Sequence, residues 1–413
     1  MKRFFAPVVF SLLVSLVGTA QQVSISDART PAELRIAAAE RVIAAKPGSY
    51  EAYNDLALGW ARRARETSDT AFYAKAGEAV RKSLELMPGN FEAQKLEVWL
   101  LLGGHEFAQA LEKAKALNQQ VPDDLQVYGF LTDANTELGN YQDAIDAAQW
   151  MLNLRPGNVP GLTRAAYLRE LSGDVEGALE LMEMALQSTP PNESEDLAWT
   201  RTQMGHLELM RGNPAGAEAH LMEALGLFPG YHYALANLGR VRAAQGRRGE
   251  AVDLLRRRYE AAPHAENLYD LAEALERAGR QSEARRAFAE FEAKALKESE
   301  KWDNANRELV FYYADHARKA AEALKIAAWE SSRRHDVHTL DAYAWALYRN
   351  GRYAEASKQM RKALEVGVRE LRLFQHAASI ARAAGHRAEA LEYLRQAQEL
   401  DPAQGAMRAS SGR

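Results

Sequence analysis

His105-Glu106-Phe107-Ala108-Gln109 begins like the metal-binding helix of a zinc protease, where two imidazoles one turn apart hold the ion and the glutamate acts as base. Gln109 stands where the second imidazole is needed, so the pair cannot form. His335-Asp336-Val337-His338 brings two imidazoles and a carboxylate together, but no third ligand accompanies them. Asp315, His316 and Asp341 are titratable groups with no nucleophile–base pair or metal shell beside them. No phosphate-binding P-loop, GxGxxG turn or GxSxG elbow is present. The chain has no cysteine, which removes disulfides, thiolate metal sites and thiol nucleophiles. Arg247, Arg248, Arg256, Arg257 and Arg258 cluster, yet Glu250, Asp253 and Glu260 interleave with them at helical spacing. That reads as an exposed, salt-bridged helix rather than a nucleic-acid stripe. Asn192-Glu193-Ser194 fits a glycosylation sequon, but Asn192 or Ser194 reads better as the cap of the next helix. No catalytic residue, metal or cofactor is expected.

The elements that must position side chains come from a repeat. The chain has 413 residues, 47% apolar and 26% charged, within the globular range. An alanine after a turn recurs at Ala76, Ala110, Ala144, Ala178, Ala217, Ala251, Ala284, Ala356 and Ala390. A turn glycine five residues earlier recurs at Gly139, Gly173, Gly212, Gly246, Gly279, Gly351 and Gly385. A closing proline recurs at Pro88, Pro122, Pro156, Pro190, Pro229, Pro263 and Pro402. All three series share a period near 34 residues, the mark of stacked helix–turn–helix units. Small residues at the eighth and twentieth positions of each unit would let its two helices approach closely. The spacing between Ala284 and Ala356 spans about two periods. It predicts a degenerate repeat at about 298–336, without a turn glycine. Thr30-Pro31-Ala32-Glu33 is a capping box that opens a helix ahead of the array.

Across about 50–402 these features resemble the tetratricopeptide repeat (TPR). Segments such as Gly104-His105-Glu106-Phe107-Ala108 and Asp341-Ala342-Tyr343-Ala344-Trp345-Ala346-Leu347-Tyr348 are similar to bacterial exported TPR proteins of unassigned activity. The resemblance implies an all-α fold, a right-handed α-solenoid superhelix of about ten repeats, with an N-terminal half-repeat helix. It also implies a concave face, lined by the first helix of each repeat, where partners bind. Taking positions 2, 5, 6, 9 and 12 as inward-facing gives a candidate groove. It comprises Trp99, Asp133, Arg164, Tyr167, Trp199, His206, Tyr233, Asn237, Arg240, Tyr269, Asp341, Trp345, Tyr348 and His376. Tyr, Trp and Arg are the types that dominate binding hot spots. No three successive repeats carry the Lys and Asn set by which some members of the superfamily hold a C-terminal carboxylate.

The expected organisation is a signal peptide at 1–20, a capping helix at 21–49, the solenoid at 50–402 and a flexible tail at 403–413. Lys2 and Arg3, the apolar run Phe4 to Val17, and Gly18-Thr19-Ala20 make a cleavable export signal. Cleavage after Ala20, with no lipoprotein cysteine, predicts a periplasmic or secreted protein. The formal net charge of −4 argues against nucleic acid. That total averages an uneven chain, with 16 acidic and 5 basic residues in 101–200 against 14 and 19 in 301–413. The expected function is a non-enzymatic scaffold for an unidentified protein or peptide, without an integral membrane segment. The alternative is a groove for a cell-wall glycan or another non-protein ligand, with rings such as Trp99 and Trp345 stacking on sugars.

Overall fold

The computed structural model describes residues 29–69, 71–299 and 304–400. The proposed signal at 1–20 and the tail at 403–413 lie outside them. Helix α1 (Pro31–Ala45) precedes ten successive helix pairs among the described residues. Repeats 1 to 3 are α2 (Tyr50–Thr67) with α3 (Ala71–Leu86), α4 (Phe91–Gly103) with α5 (Phe107–Gln120), and α6 (Leu125–Glu137) with α7 (Tyr141–Leu154). Repeats 4 to 6 are α8 (Val159–Leu171) with α9 (Val175–Ser188), α10 (Ser194–Met210) with α11 (Pro214–Leu227), and α12 (His232–Ala244) with α13 (Arg248–Ala261). Repeat 7 pairs α14 (Ala265–Arg277) with α15 (Gln281–Glu298). Repeat 8 pairs α16 (Asn306–Phe311), which runs on into a π-helical turn at Tyr312–His316, with α17 (Ala320–Glu330). Repeats 9 and 10 are α18 (Val337–Arg349) with α19 (Tyr353–Leu364), and α20 (Leu371–Ala383) with α21 (Arg387–Leu400).

The small-residue series explains the pairing. All nine alanines of the twentieth position are buried. Their partners at the eighth position are equally tight: a Cβ added to Gly205 would lie 2.7 Å from Leu221 Cγ. Each turn glycine sits at positive φ, between 74° and 86°. His105 holds the same register in repeat 2 at φ 57°. This histidine is therefore a strained turn residue, and burial pushes its imidazole down to about 4. Thr30 and Glu33 form the capping box that starts α1. Two local expectations fail. Glu193, not Asn192 or Ser194, is the N-cap residue of α10, and it makes no side-chain cap hydrogen bond. Arg258 is buried and paired with Asp270 and Glu266 of the next repeat, rather than exposed beside Glu260.

The array winds far enough to touch itself. The turns inside repeats 1 to 4 pack against the loops that precede repeats 5, 6, 9 and 10. Arg62 reaches Glu193 at 2.6 Å and Asp196 at 3.0 Å. Arg65 meets Glu195 and Asp196, and its carbonyl contacts His232 Nε2 at 3.2 Å. Arg333 pairs with Glu106 at 2.8 Å and Arg334 with Glu137 at 2.5 Å. The Tyr141 hydroxyl accepts from the Val337 amide at 3.0 Å. Leu171 of repeat 4 completes a core whose other buried members are Val337, Leu340, Leu347, Leu373 and neighbours in repeats 9 and 10. Backbones meet directly at this seam. A Cβ on Gly173 would stand 2.7 Å from the Gly367 carbonyl oxygen, and one on Gly139 2.9 Å from that of His335.

Gly139 and Gly246 have nearly the same φ, 76° and 74°, but nothing lies within 4 Å of a Cβ on Gly246. Gly246→Ala should therefore cost only the backbone strain, about 1–2 kcal/mol. Gly139→Ala should cost distinctly more, because the His335 carbonyl must also move. Urea unfolding of both variants measures the difference, and equal losses would show that the seam adds nothing at that point.

Candidate functional site

The concave face divides into an open part and a filled part. In the open part, α6, α8, α10 and α12 bring their inward positions together. Arg164 makes a two-pronged pair with Asp133, at 2.7 Å from Nε and 2.6 Å from Nη2, and also donates to the Gly129 carbonyl. His206 Nε2 lies 3.1 Å from Glu170. Tyr167 stands among Glu137, Glu170, Asp336 and Tyr141, and the residue is 37% exposed. Desolvation, with those carboxylates, raises its hydroxyl well above the usual tyrosine range. Asn237 and the exposed Arg240 extend this surface along α12.

In repeats 7 to 10 the same register fills the interior. Tyr269 is 2% exposed and packed on Phe288 and Phe291. Asp341 and His376 are both buried and bonded to each other at 2.8 Å. Trp345 lies stacked on both Tyr348, at 4.8 Å, and His376, at 4.1 Å, and its indole N–H donates to Asp315. Arg372 of repeat 10 reaches back to Glu273 of repeat 7 at 3.0 Å. The π-helical turn supplies two of these groups: Asp315 takes the Trp345 bond, and His316 packs on Phe288 beside Glu276 at 3.3 Å. An extra residue per turn re-aims side chains, which is how the degenerate repeat closes the interior.

The structure therefore corrects part of the candidate groove. Tyr269, Asp341 and His376 are enclosed and do not line an open surface, because the π turn and Arg372 fill the space in front of them. Trp99 and Trp199 wedge between the cores of neighbouring repeats, and Tyr233 packs against the core shared by repeats 5 and 6. Their rings are structural over most of their surface. Trp345 has both ring faces occupied, so it cannot stack on a sugar in this conformation. Asp133, Arg164, Tyr167, His206, Asn237 and Arg240 remain together on the open face. Glu170, Glu266, Glu273 and Arg372 occupy inward positions too, and the register that chose the others would have found them. The metal suspects are otherwise engaged: Asp336 caps α18, and His338 faces Glu370 at 3.4 Å. No group of three or more metal-binding side chains occurs among the described residues.

A sequence model described as tetratricopeptide repeat matches residues 371–404, which contain the last helix pair. Solved structures extend the likeness along the chain. Human IFIT1, solved as a dimer with PPP-AAAA, is 15% identical with a TM-score of 0.50, covering 88% of this chain and 85% of that one. This chain folds as a tetratricopeptide-repeat solenoid. The APC/C hetero-tetramer Cut9-Hcn1 aligns at 15% identity and a TM-score of 0.46 over 85% of this chain. The tetratricopeptide solenoid described here spans only 59% of the length of that chain. TTC0263, a TPR protein of Thermus thermophilus, aligns at 22% identity and 0.38 over 41% of this chain and 90% of its own. No curated protein matches the sequence.

One guanidinium decides the electrostatics where the solenoid's seam meets its open face. Arg334 pairs with both Glu137, at 2.5 Å, and Asp336, at 2.8 Å. Burial pushes Glu137 up to about 7 against the pull of Arg334, and the Asp336 charge adds to the rise. Burial opposes ionisation of Asp336 as well. Arg334, His338 and the Thr339 hydroxyl and amide outweigh it and hold that carboxyl at about 2. His338 is raised: burial opposes its charge, but Glu370 more than compensates. Glu137 holds its proton more firmly folded than unfolded. Its contribution to stability is complete below its unfolded value near 4.5 and is lost as pH rises through about 7. Asp336 contributes in the opposite sense, above 3.8, and is lost only as pH falls through about 2.

Melting temperature measured from pH 5 to 8 should therefore fall in the natural chain more than in Glu137→Gln. The expected difference is a few degrees, given about 2–4 °C per kcal/mol in domains of ordinary size. Parallel curves for the two proteins would remove Glu137 from this account. His338 changes in the same direction in both, so it cancels in the comparison.

Proposed function

We propose that the chain is an exported, non-enzymatic scaffold that binds a protein or peptide partner across the concave face of repeats 3 to 6. The observation that carries this reading is the cluster of Asp133, Arg164, Tyr167, Glu170, His206 and Arg240. It is a polar surface around one half-exposed aromatic, on a rigid helical wall. Tyrosine and arginine in such a setting are the types that anchor interfaces. Asp315, His316 and Asp341, a titratable set with an enzymatic reading, are each engaged in a structural contact.

Export rests on the Lys2-Arg3, apolar and Gly18-Thr19-Ala20 sequence pattern, with a periplasmic or secreted destination. No described helix is long and apolar enough to cross a membrane. A glycan ligand is not favoured, since the tryptophans proposed to stack on sugars have their rings covered or wedged between repeats. The PPP-AAAA in the IFIT1 structure concerns that protein. Here Asp133 and Glu170 on the open face oppose a polyanion.

Crosslinking in the native envelope, followed by mass spectrometry, would recover the partner. Tyr167→Ala combined with Arg240→Glu should then lower recovery about tenfold, as loss of a hot-spot pair does. Both side chains are exposed, so the fold should persist. Undiminished recovery from a correctly folded variant would remove the concave face as the binding surface.

A further inference from the structure

The N-terminal mouth of the concave face has a chemistry that the open face lacks. A cavity of about 550 Å³ lies across α2 and α4 and reaches Gln126 on α6. That size falls within the roughly 300–1,000 Å³ of ligand sites. Its floor is apolar, with Leu58 and Phe91 half-buried and Leu96 buried. Met87 on the rim is 45% exposed. Glu51, Asp55 and Glu92 surround that floor.

These carboxylates are poorly neutralised. The Ser49 hydroxyl donates to Glu51 at 2.9 Å. The Glu51 backbone amide first, then this hydroxyl, with smaller help from Tyr50 and Lys46, hold that carboxyl below its usual range, so Glu51 is ionised at neutral pH. Asp55 has Arg35 at 3.3 Å, and its own side chain remains 63% exposed. Glu92 must share Lys95 with Asp124, at 2.9 and 2.8 Å, and remains 62% exposed. Lys95 itself is only 6% exposed and lies over the Phe91 ring, so it does not present its charge to the cavity. Three carboxylates therefore surround an apolar floor, with Arg35 on Asp55, Lys95 divided between Glu92 and the neighbouring Asp124, and Lys46 within electrostatic reach of Glu51. Exposed ion pairs with free carboxylates are individually weak, but several on one segment add up and set specificity.

We infer that this mouth docks an extended peptide segment in which an apolar side chain is flanked by lysine or arginine. The inference rests on the reading that partners lie along the concave face, and it adds the chemistry of one end of that partner. The apolar side chain would enter over Leu58, Phe91 and Leu96. The flanking cations would pair with Glu51, Asp55 and Glu92. Such a segment has the opposite charge to the carboxylate tails held by some other tetratricopeptide grooves.

Fluorescence anisotropy with the full chain tests this directly. The probe is a fluorescein-labelled Arg-Leu-Lys-Leu-Arg peptide, compared with Glu-Leu-Glu-Leu-Glu and Arg-Ala-Lys-Ala-Arg. The basic, leucine-containing probe should bind at least about tenfold tighter than either control, and about 0.5 M NaCl should weaken it several-fold by screening. Glu51→Lys with Glu92→Lys should reverse the preference toward the acidic peptide. If that double variant fails to fold, Glu51→Gln with Glu92→Gln should still abolish the discrimination. Equal binding of the basic and acidic peptides, a preference untouched by these substitutions, or no peptide binding at all would overturn the proposal. Loss of captured partner in the Tyr167 and Arg240 variant, with no peptide binding, would leave the concave-face reading standing and sink the mouth alone. Retention of captured partner in that variant, with selective binding of the basic peptide, would do the reverse.

Discussion

The close approach of two helices across alanine and glycine is the constraint on which the rest of this solenoid depends. At the twentieth position the alanines are buried, and at Gly205 even a methyl group would collide with Leu221. Large apolar side chains then pack around the contact rather than through it. Because most repeats share this contact, successive pairs stack on one another in the same sense, and a stack of such pairs winds into a superhelix. The inward face of each first helix is a by-product of that winding.

The winding has a second consequence, which is contact between distant repeats. Seam residues lie at helix ends and in the turns and loops between them. Only the completed superhelix brings Gly173 against Gly367, or Arg334 between Glu137 and Asp336. These contacts pin the first four repeats onto the later ones and narrow the interior. A concave face held rigid in this way would lose less conformational entropy on binding than a flexible one.

Filling of the interior is uneven, and the degenerate repeat is the reason. Where repeats 3 to 7, 9 and 10 have a glycine turn, repeat 8 has a π-helical turn that directs Asp315 and His316 inward. Asp315 fixes Trp345, His376 stacks on Trp345, and Arg372 closes against Glu273. The later repeats thus use their inward positions on one another. In repeats 3 to 6, Asp133, Arg164, Tyr167, His206 and Arg240 remain on the open face.

The amino-acid sequence alone determined the helix pairs, the turns and the register of inward positions. These follow from periodicity, small residues and glycine conformation, all of which act within one repeat. His105 shows how strong that signal is, since it takes the glycine's place and adopts the glycine's backbone. The sequence also carried the pairing partners of the open face, since Asp133, Arg164, Tyr167 and His206 follow from register. Tertiary structure alone decided which inward rings are free. Trp99 and Trp199 occupy the same kind of position as Tyr167, but they wedge between repeats, because their larger rings find apolar space between neighbouring cores. Tertiary structure alone also decided the seam and the acidic mouth. Both depend on charges far apart in the chain or one repeat away, and a 34-residue pattern holds no information about distances that only the superhelix sets.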